Sequence, residues 1–370
     1  MRNEIKIPFF NYQSLFKEHE KEFIDIFSDI GRRGAYIMQD DLSNFESKIE
    51  KYTGIKHAIG VANATDAMQL LLKAGGVGAG DEVIFCSHTM IATASAITFT
   101  GATPIPVEAG PDHLIDPESI IKAITPHTKA IIPTQLNGRV ADMDKILDIA
   151  QEYGLQIYED SAQALGAKYK GQCAGSFGLG GCISFYPAKT LGCFGDGGMV
   201  LTNDDSIYNT IKLMRDHGRR EDGNVSVWGF NSRLDNLQAA ILNFFFQDYD
   251  ETVKRRRHIA DLYHEGLSNI DELTLPPAAN SGNNFDIYQN YEIEAKRRDS
   301  LKEYLSSKNI GTLVQWGGKA VHEFKDLGFT QSLPITEKIM RDSLMLPLNM
   351  TVTDVEIKYI CKCVKGFYND

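Results

Sequence analysis

Residues 58–75, AIGVANATDAMQLLLKAG, contain a short apolar segment, a turn of small residues and a helix-like repeat that ends at a glycine. The first part is typical of a buried strand, and the second part is typical of a helix that ends at Gly75. Residues 81–87, DEVIFCS, then form a second apolar segment. This strand–helix–strand order is typical of a parallel sheet covered by helices.

The same alternation continues to about residue 200. Further strands are predicted in TPIPVEA, HTKAIIPTQ, LQIYEDSA and GCISFYP, and further helices in PESIIKAI and ADMDKILDIAQEYG. We therefore expect an α/β fold whose large domain, residues 1–245, has a mostly parallel sheet with helices on both faces.

A change of pattern after this region predicts a second domain. Residues 234–267 have apolar positions at helical spacing over a long span. Beyond them, YQNYEIEA and TLVQWGG are predicted strands, while RDSLKEYLSSKN and IKYICKCVKGFY are predicted helices. We expect residues 246–370 to form a smaller C-terminal α+β domain.

Composition excludes several classes of partner. The 370 residues carry a formal net charge of −11, which argues against a general nucleic-acid or anionic-membrane surface. The charged N-terminal residues do not resemble a signal peptide, and no apolar run reaches the roughly 18 residues of a spanning helix. The six cysteines lack zinc-site spacing, so we expect free thiols in a cytoplasmic protein with no metal site.

The glycine-rich segments do not match the common nucleotide-binding motifs. GGVGAGDEVIF precedes a strand, whereas the dinucleotide fingerprint follows a strand and opens a helix. No G-x-x-x-x-G-K-[ST] segment and no HExxH segment occurs. These absences argue against a nicotinamide dehydrogenase, a P-loop protein and a zinc hydrolase.

Two reactive side chains follow successive predicted strands. Asp160 ends LQIYED, and Lys189 follows GCISFYP 29 residues later. In a parallel sheet both side chains face the crevice beyond the carboxyl ends of the strands. Alone, Asp160 could equally cap the next helix, and Lys189 could be a solvated loop lysine. Together they suit pyridoxal phosphate (PLP), which needs a Schiff-base lysine and an acid beside its pyridine nitrogen.

PLP also needs a site for its phosphate. Thr65 and Asp66 open the helix after the first strand, where free backbone N–H groups attract anions. Ser184 could add a hydroxyl group if its side chain points into the crevice. Simple capping of the helix by Thr65 and Asp66 explains the same residues without a ligand.

Three segments, EDSAQALGA, SFYPAKTLGCFGDGGMV and GFNSRLDNLQAAIL, resemble in order and spacing the DegT–DnrJ–StrS family of PLP-dependent nucleotide-sugar aminotransferases. The resemblance covers nearly the whole chain and implies an aspartate-aminotransferase-like fold. It implies that Lys189 binds the cofactor covalently and that Asp160 faces its ring nitrogen. It also implies a homodimer with shared sites, with further cofactor contacts at Thr65, Asp66, Gln163, Ser184 and, across the dimer, Asn231.

The sequence departs from the family pattern at several places. Met90 stands where a ring usually stacks on the cofactor, with His88 two residues earlier, so the stacking residue stays open between them. Around Gln315 and Trp316, VQWGGKAVHEF replaces a more usual proline- and histidine-containing segment, and we expect substrate contacts there. Arg219 is a candidate for binding the substrate diphosphate.

The resemblance predicts transamination from L-glutamate to a nucleotide-linked sugar. One branch of the family has histidine at the lysine position and acts as a dehydratase, but Lys189 is retained here. The closest likeness is to 3-aminotransferases of dTDP-3-keto-6-deoxyhexoses, which serve deoxyamino sugar and glycan or lipopolysaccharide biosynthesis. Two alternatives stay open: a C4 aminotransferase for a UDP- or GDP-4-keto-6-deoxy sugar, and a non-catalytic PLP-binding regulator.

Overall fold

The structure is a computed structural model that describes residues 6–279 and 281–369. Thirteen strands occur in this part of the chain. They are β1 His57–Val61, β2 Glu82–Cys86, β3 Thr103–Val107, β4 Thr128–Ile132, β5 Gln156–Asp160, β6 Lys168–Tyr169, β7 Gln172–Cys173, β8 Gly180–Ser184, β9 Gly198–Thr202, β10 Leu273–Thr274, β11 Asn284–Phe285, β12 Tyr291–Ala295 and β13 Ser343–Leu346.

Thirteen α-helices connect or cover these strands in the same described ranges. They are α1 Tyr12–Glu18, α2 Glu20–Arg33, α3 Asp40–Thr53, α4 Ala64–Ala74, α5 Ile91–Thr98, α6 Pro117–Ala123, α7 Met143–Tyr153, α8 Asp205–Met214, α9 Asn236–Phe245, α10 Tyr249–Leu267, α11 Arg298–Ser307, α12 Pro334–Asp342 and α13 Asp354–Asn369. None of them is long and apolar enough to cross a lipid bilayer.

The central sheet has seven strands in the order β1-β9-β8-β5-β4-β2-β3. The pairs from β8 to β3 are parallel, and only β9 runs against its neighbours β1 and β8. Since residues 185–197 join β8 to β9 without a helix, the chain has no crossover with which to return in the parallel sense. The predicted α/β fold with a mostly parallel sheet is confirmed.

Two apolar clusters cover the two faces of this sheet. Successive residues of a strand point to opposite faces, and the strands follow this rule. On β2, for example, Ile84 belongs to one cluster, while Val83 and Phe85 belong to the other. Burial on both faces explains why these strands are apolar throughout and show no polar alternation.

A third apolar cluster belongs to the C-terminal part of the chain. It packs α10, α11 and α13 against β12 and β13, and it includes Ile7 from near the N-terminus. The small antiparallel sheet β10-β12-β13 lies here, while β11 pairs with β6 of the preceding region. The division into residues 1–245 and 246–370 stays a prediction.

Two C-terminal expectations need correction or refinement. TLVQWGG, predicted as a strand, instead contains a short 3-10 helix at Gln315–Gly318, with positive φ angles of 45° at Trp316 and 71° at Gly317. Such left-handed residues cannot continue a strand, and only Leu313 forms an isolated bridge, with Met345. Residues 234–267 form α9 and α10, which are joined by one 3-10 turn at Phe246–Asp248.

Candidate active site

A cavity of about 410 Å³ opens at the carboxyl ends of β5 and β8 and the N-terminus of α4. Seven of the predicted site residues line it together. They are Thr65, Met90, Asp160, Gln163, Ser184, Lys189 and Trp316. The parallel sheet explains this convergence, because its strand ends share one edge.

Asp160 lies at the end of β5 and is buried. One carboxylate oxygen accepts a 2.6 Å hydrogen bond from the Thr93 hydroxyl, and the other accepts a 3.2 Å bond from the Ala162 amide. These donors fix the plane of the carboxylate. A carboxylate held in this way can face the ring nitrogen of a cofactor in the cavity.

Lys189 lies in the loop after β8, and its backbone is held from both sides by one side chain. Gln289 accepts a 2.6 Å hydrogen bond from the Thr190 amide and donates a 2.8 Å bond to the Ala188 carbonyl. Burial lowers the pKa of Lys189, and the charge of Asp160 opposes this shift only in part. The ammonium group therefore gives up its proton more readily than an exposed lysine does.

The N-terminus of α4 forms another wall of the cavity. The Asn63 side chain caps the helix by accepting a 2.8 Å hydrogen bond from the Asp66 amide, and Thr65 faces the cavity. Gly198 of β9 lets this turn approach closely, since a Cβ there would lie 2.3 Å from the Asn63 carbonyl carbon. Ser184, at the end of β8, lines the same cavity. Backbone N–H groups at such a terminus suit a phosphate group.

Gln163 is oriented by the small loop after β4. Its side-chain oxygen accepts a 2.8 Å hydrogen bond from the Asn137 amide. Because the oxygen is engaged in this way, the side-chain NH₂ group is the part of Gln163 available to a ligand in the cavity.

Five other predicted site residues do not line the cavity. His88 is fully buried and contacts Trp316 edge-on, with ring centroids 5.4 Å apart. Met90, in contrast, is 53% exposed and faces the cavity. The remaining four are Asp66 at the helix start, the buried Gln315, and the exposed Arg219 and Asn231.

Sequence reasoning missed several residues of the cavity wall. Thr93 lies on α5 and contacts Asp160 from 67 positions away, a distance that no local motif reveals. Tyr186 and Asp196 also line the cavity, within the quoted segment around Lys189. Their position in the segment that flanks Lys189 is the sequence signal for them.

The donor set of this cavity fits PLP. An amine of lowered pKa, an oriented carboxylate and a helix N-terminus face one space, matching the aldehyde, the pyridine nitrogen and the phosphate of the cofactor. The two alternatives of a solvated Lys189 and a purely helix-capping Asp160 do not account for this convergence.

Comparison with known proteins agrees with this geometry. Residues 17–365 match the model of the DegT/DnrJ/EryC1/StrS aminotransferase family. A dTDP-3-amino-3,4,6-trideoxy-alpha-D-glucose transaminase from Streptomyces venezuelae is 37% identical over 354 residues, 93% of this chain and 91% of that protein. A protein named pleiotropic regulatory protein from Geobacillus stearothermophilus is 36% identical over 370 residues, covering 98% and 99% of the two chains.

A solved structure extends the likeness to three dimensions. The crystal structure of S. venezuelae DesV in complex with a ketimine intermediate superimposes with a TM-score of 0.94, at 35% identity and with 99% of each chain covered. The chain therefore belongs to the DegT/DnrJ/EryC1/StrS aminotransferase family, whose members depend on PLP.

Proposed function

We propose that this protein transfers the amino group of L-glutamate to C3 of a dTDP-linked 3-keto-6-deoxyhexose, in sites shared by two copies of the chain. The observation that carries the proposal is the single cavity into which Lys189 and Asp160 both face. The 37% identity to a dTDP-3-amino-sugar transaminase supports a dTDP-linked sugar as the substrate and C3 as the carbon that receives the amino group.

Lys189 has two tasks in this account. It would hold the cofactor covalently, and as a free neutral amine it would remove the proton from Cα of glutamate and later return a proton on the sugar side. The lowered pKa favours the neutral amine, which is the form that acts as a base. PLP, when bound, supplies an electron sink for the negative charge at the reacting carbon.

Asp160 would face the pyridine nitrogen of the cofactor, since Thr93 and Ala162 orient its carboxylate. The α4 N-terminus, Thr65 and Ser184 would bind the phosphate, and the Gln163 NH₂ group would donate to the ring oxygen, since all of them line one cavity. Met90 would pack on the ring face, because it lines the cavity, whereas His88 does not and contacts Trp316 edge-on.

The substrate and partner contacts follow from the remaining residues. Trp316 borders the sugar, and Gln315 supports the loop that carries Trp316. Asn231 and Arg219 lie on an exposed segment that also contains Trp228, which is 96% exposed. A surface tryptophan of this kind is typical of an interface, so we assign this segment to a partner copy's site. Six buried thiols suit a reducing cytoplasm.

A panel of dTDP-, UDP- and GDP-linked 3-keto and 4-keto sugars, each incubated with the protein and glutamate, tests the proposal. Mass spectrometry should detect the amino product only from the dTDP-linked 3-keto sugar. Conversion of a UDP- or GDP-linked 4-keto sugar alone would contradict it and support the C4 alternative.

The name of the Geobacillus stearothermophilus relative keeps a PLP-binding regulator as the second candidate function. A regulator would bind PLP without exchanging amino groups. Conversion of bound PLP to pyridoxamine phosphate on addition of glutamate, followed by its absorbance, excludes a non-catalytic regulator; unchanged absorbance in a protein that holds PLP supports one.

A further inference from the structure

Three polar side chains lie together outside the cavity, in what we call the histidine–glutamate cluster: His88 after β2, His113 before α6, and Glu292 on β12. One nitrogen or oxygen atom of each lies within 4.8 Å of the others. His88 is fully buried, and the Glu292 side chain is only 1% exposed. His113 lies 25 residues after His88, and Glu292 lies 179 residues after His113, so no spacing motif in the sequence reveals the cluster.

Two atoms of this cluster face each other without a hydrogen bond. His88 Nε2 and Glu292 Oε1 are 3.8 Å apart, and both are buried without a partner among the described residues. His88 Nδ1 lies 3.3 Å from the His113 carbonyl oxygen, which can only accept, so Nδ1 carries the hydrogen of a neutral ring. A nitrogen lone pair then points at a carboxylate oxygen, an arrangement that a cation would stabilise.

The surrounding groups are arranged as around a metal ligand set. His113 Nδ1 faces Glu292 Oε2 at 3.0 Å, while its Nε2 lies 3.4 Å from Glu294 Oε1. A carboxylate on the far nitrogen of a histidine is the usual outer partner of a metal-bound imidazole. His88 has the equivalent partner in the His113 carbonyl oxygen. Glu294 is in turn paired with Lys338 at 2.5 Å.

We propose that the histidine–glutamate cluster binds a divalent transition-metal ion of the zinc class through His88 Nε2, His113 Nδ1 and Glu292. Two imidazoles and one carboxylate form a ligand set that zinc accepts, at about 2.0–2.2 Å from each atom. Two ligand atoms on one tetrahedral zinc lie about 3.3–3.5 Å apart, a separation bracketed by the 3.8 Å and 3.0 Å at which His88 Nε2 and His113 Nδ1 now face the Glu292 oxygens. An adjoining cavity of about 40 Å³, lined in part by His113, Asn137 and Glu292, has room for a water molecule as fourth ligand.

Binding exchanges one cation for one proton. The hydrogen that now joins His113 Nδ1 to Glu292 leaves as the metal takes its place, so one proton is released for each metal bound. The ion would tie the end of β2 and the loop before α6 to β12, directly behind Trp316. Because none of its three ligands lines the cavity that holds Lys189 and Asp160, we assign the ion a structural role.

The test uses the PLP-loaded, chelator-treated protein and Zn²⁺ as the probe. After dialysis with Zn²⁺ and removal of the excess, elemental analysis should find about one zinc per chain, and the temperature of unfolding should rise. Glu292→Gln keeps the side-chain shape and should weaken zinc binding by at least about tenfold. His258→Gln, which changes a surface histidine paired with Asp354, is the matched control and should bind zinc as the wild type does.

The outcomes separate the two readings of the cluster. A wild-type protein that binds no zinc, or a Glu292→Gln variant that binds it equally well, overturns the proposal and leaves an ordinary buried ion pair between His113 and its two carboxylates. If Glu292→Gln does not fold, Glu294→Gln replaces it, since loss of the outer carboxylate should cost about 10–100-fold in affinity while leaving all three ligands present.

Discussion

At the scale of single residues, the site depends on a balance between burial and charge at Lys189. Burial lowers the pKa of this amine, and the negative charge of Asp160 raises it again in part. The balance matters because only the neutral amine can attack the cofactor aldehyde or accept a proton. Asp160 itself is held by Thr93 and Ala162, so its charge is fixed in position.

This balance predicts a pH dependence. The rate at which the cofactor-free protein binds PLP covalently should rise with pH, with a midpoint below the ordinary lysine pKa of 10.5. Asp160→Asn removes the charge that favours the ammonium form, so the midpoint should move to lower pH. Asp196→Asn, which alters another carboxylate on the cavity wall, is the control and should leave the midpoint unchanged. A midpoint that rises in Asp160→Asn would contradict this account.

Some residues of the site are recognisable from the sequence, and others become visible only in the folded chain. Lys189 and Asp160 were predicted because each follows a recognisable strand, and a parallel sheet brings strand ends together. Thr93 was not predicted, because its contact with Asp160 depends on how α5 packs over the sheet. The orientation of Gln163 by the Asn137 amide is hidden for the same reason.

At the scale of elements, the approach of α4 to β9 shapes the phosphate end of the cavity. Gly198 lies against the backbone of Asn63 and Ala64, where a Cβ would come within 2.3–2.7 Å of their atoms. Backbone cannot move aside as a flexible side chain can. A larger residue at this position must therefore displace the N-terminus of α4.

Gly198→Ala should accordingly lower the free energy of unfolding by about 1–3 kcal/mol and weaken PLP binding. Chemical denaturation measures the first effect, and titration of the cofactor-free protein with PLP measures the second. Gly78→Ala is a suitable control, since a Cβ at Gly78 would meet only the Thr100 carbonyl oxygen, at 3.9 Å. Unchanged PLP affinity in Gly198→Ala would show that this approach does not form the phosphate site.

Elements were predicted well where their pattern is local and strong. The strand–helix alternation up to residue 200 predicts six of the seven strands of the central sheet, because burial on both faces leaves continuous apolar segments. The seventh, β9, was not predicted, since it follows β8 without an intervening helix. TLVQWGG was predicted wrongly as a strand. Its first residues are apolar, and nothing in the pattern indicates that Trp316 and Gly317 have left-handed backbone angles. Gly75 was predicted as a helix stop. The absence of a side chain at Gly75 also leaves room for the Tyr158 hydroxyl group, because a Cβ at Gly75 would lie 1.8 Å from its oxygen.

At the scale of the whole molecule, the proposed dimer assigns Asn231 and Lys189 of one site to different copies. Asn231 is exposed and does not line the cavity of its own chain. Nothing in a single chain's sequence pattern fixes such an arrangement, which came only from the family resemblance. It can be tested without further structures.

Hybrid dimers of Lys189→Ala and Asn231→Ala chains should recover activity at limiting PLP. One of their two sites then has both defects, and the other has neither, so about half of the wild-type activity is expected from this site count. Differential affinity tags allow the hybrid to be purified. A hybrid of Lys189→Ala with Asp160→Ala is the control, because both residues lie in one cavity and each site stays defective. Equal inactivity of the two hybrids would contradict shared sites.

The proposed aminotransfer requires covalent attachment of PLP to Lys189, and borohydride reduction tests this attachment most directly. Reduction of the PLP-loaded protein, followed by peptide mass spectrometry, should find the cofactor mass on the peptide containing Lys189 and on no other lysine. The Lys189→Ala variant should bind PLP without retaining it after reduction. A modified lysine elsewhere, or full aminotransfer by a protein whose Lys189 stays unmodified, would contradict the account.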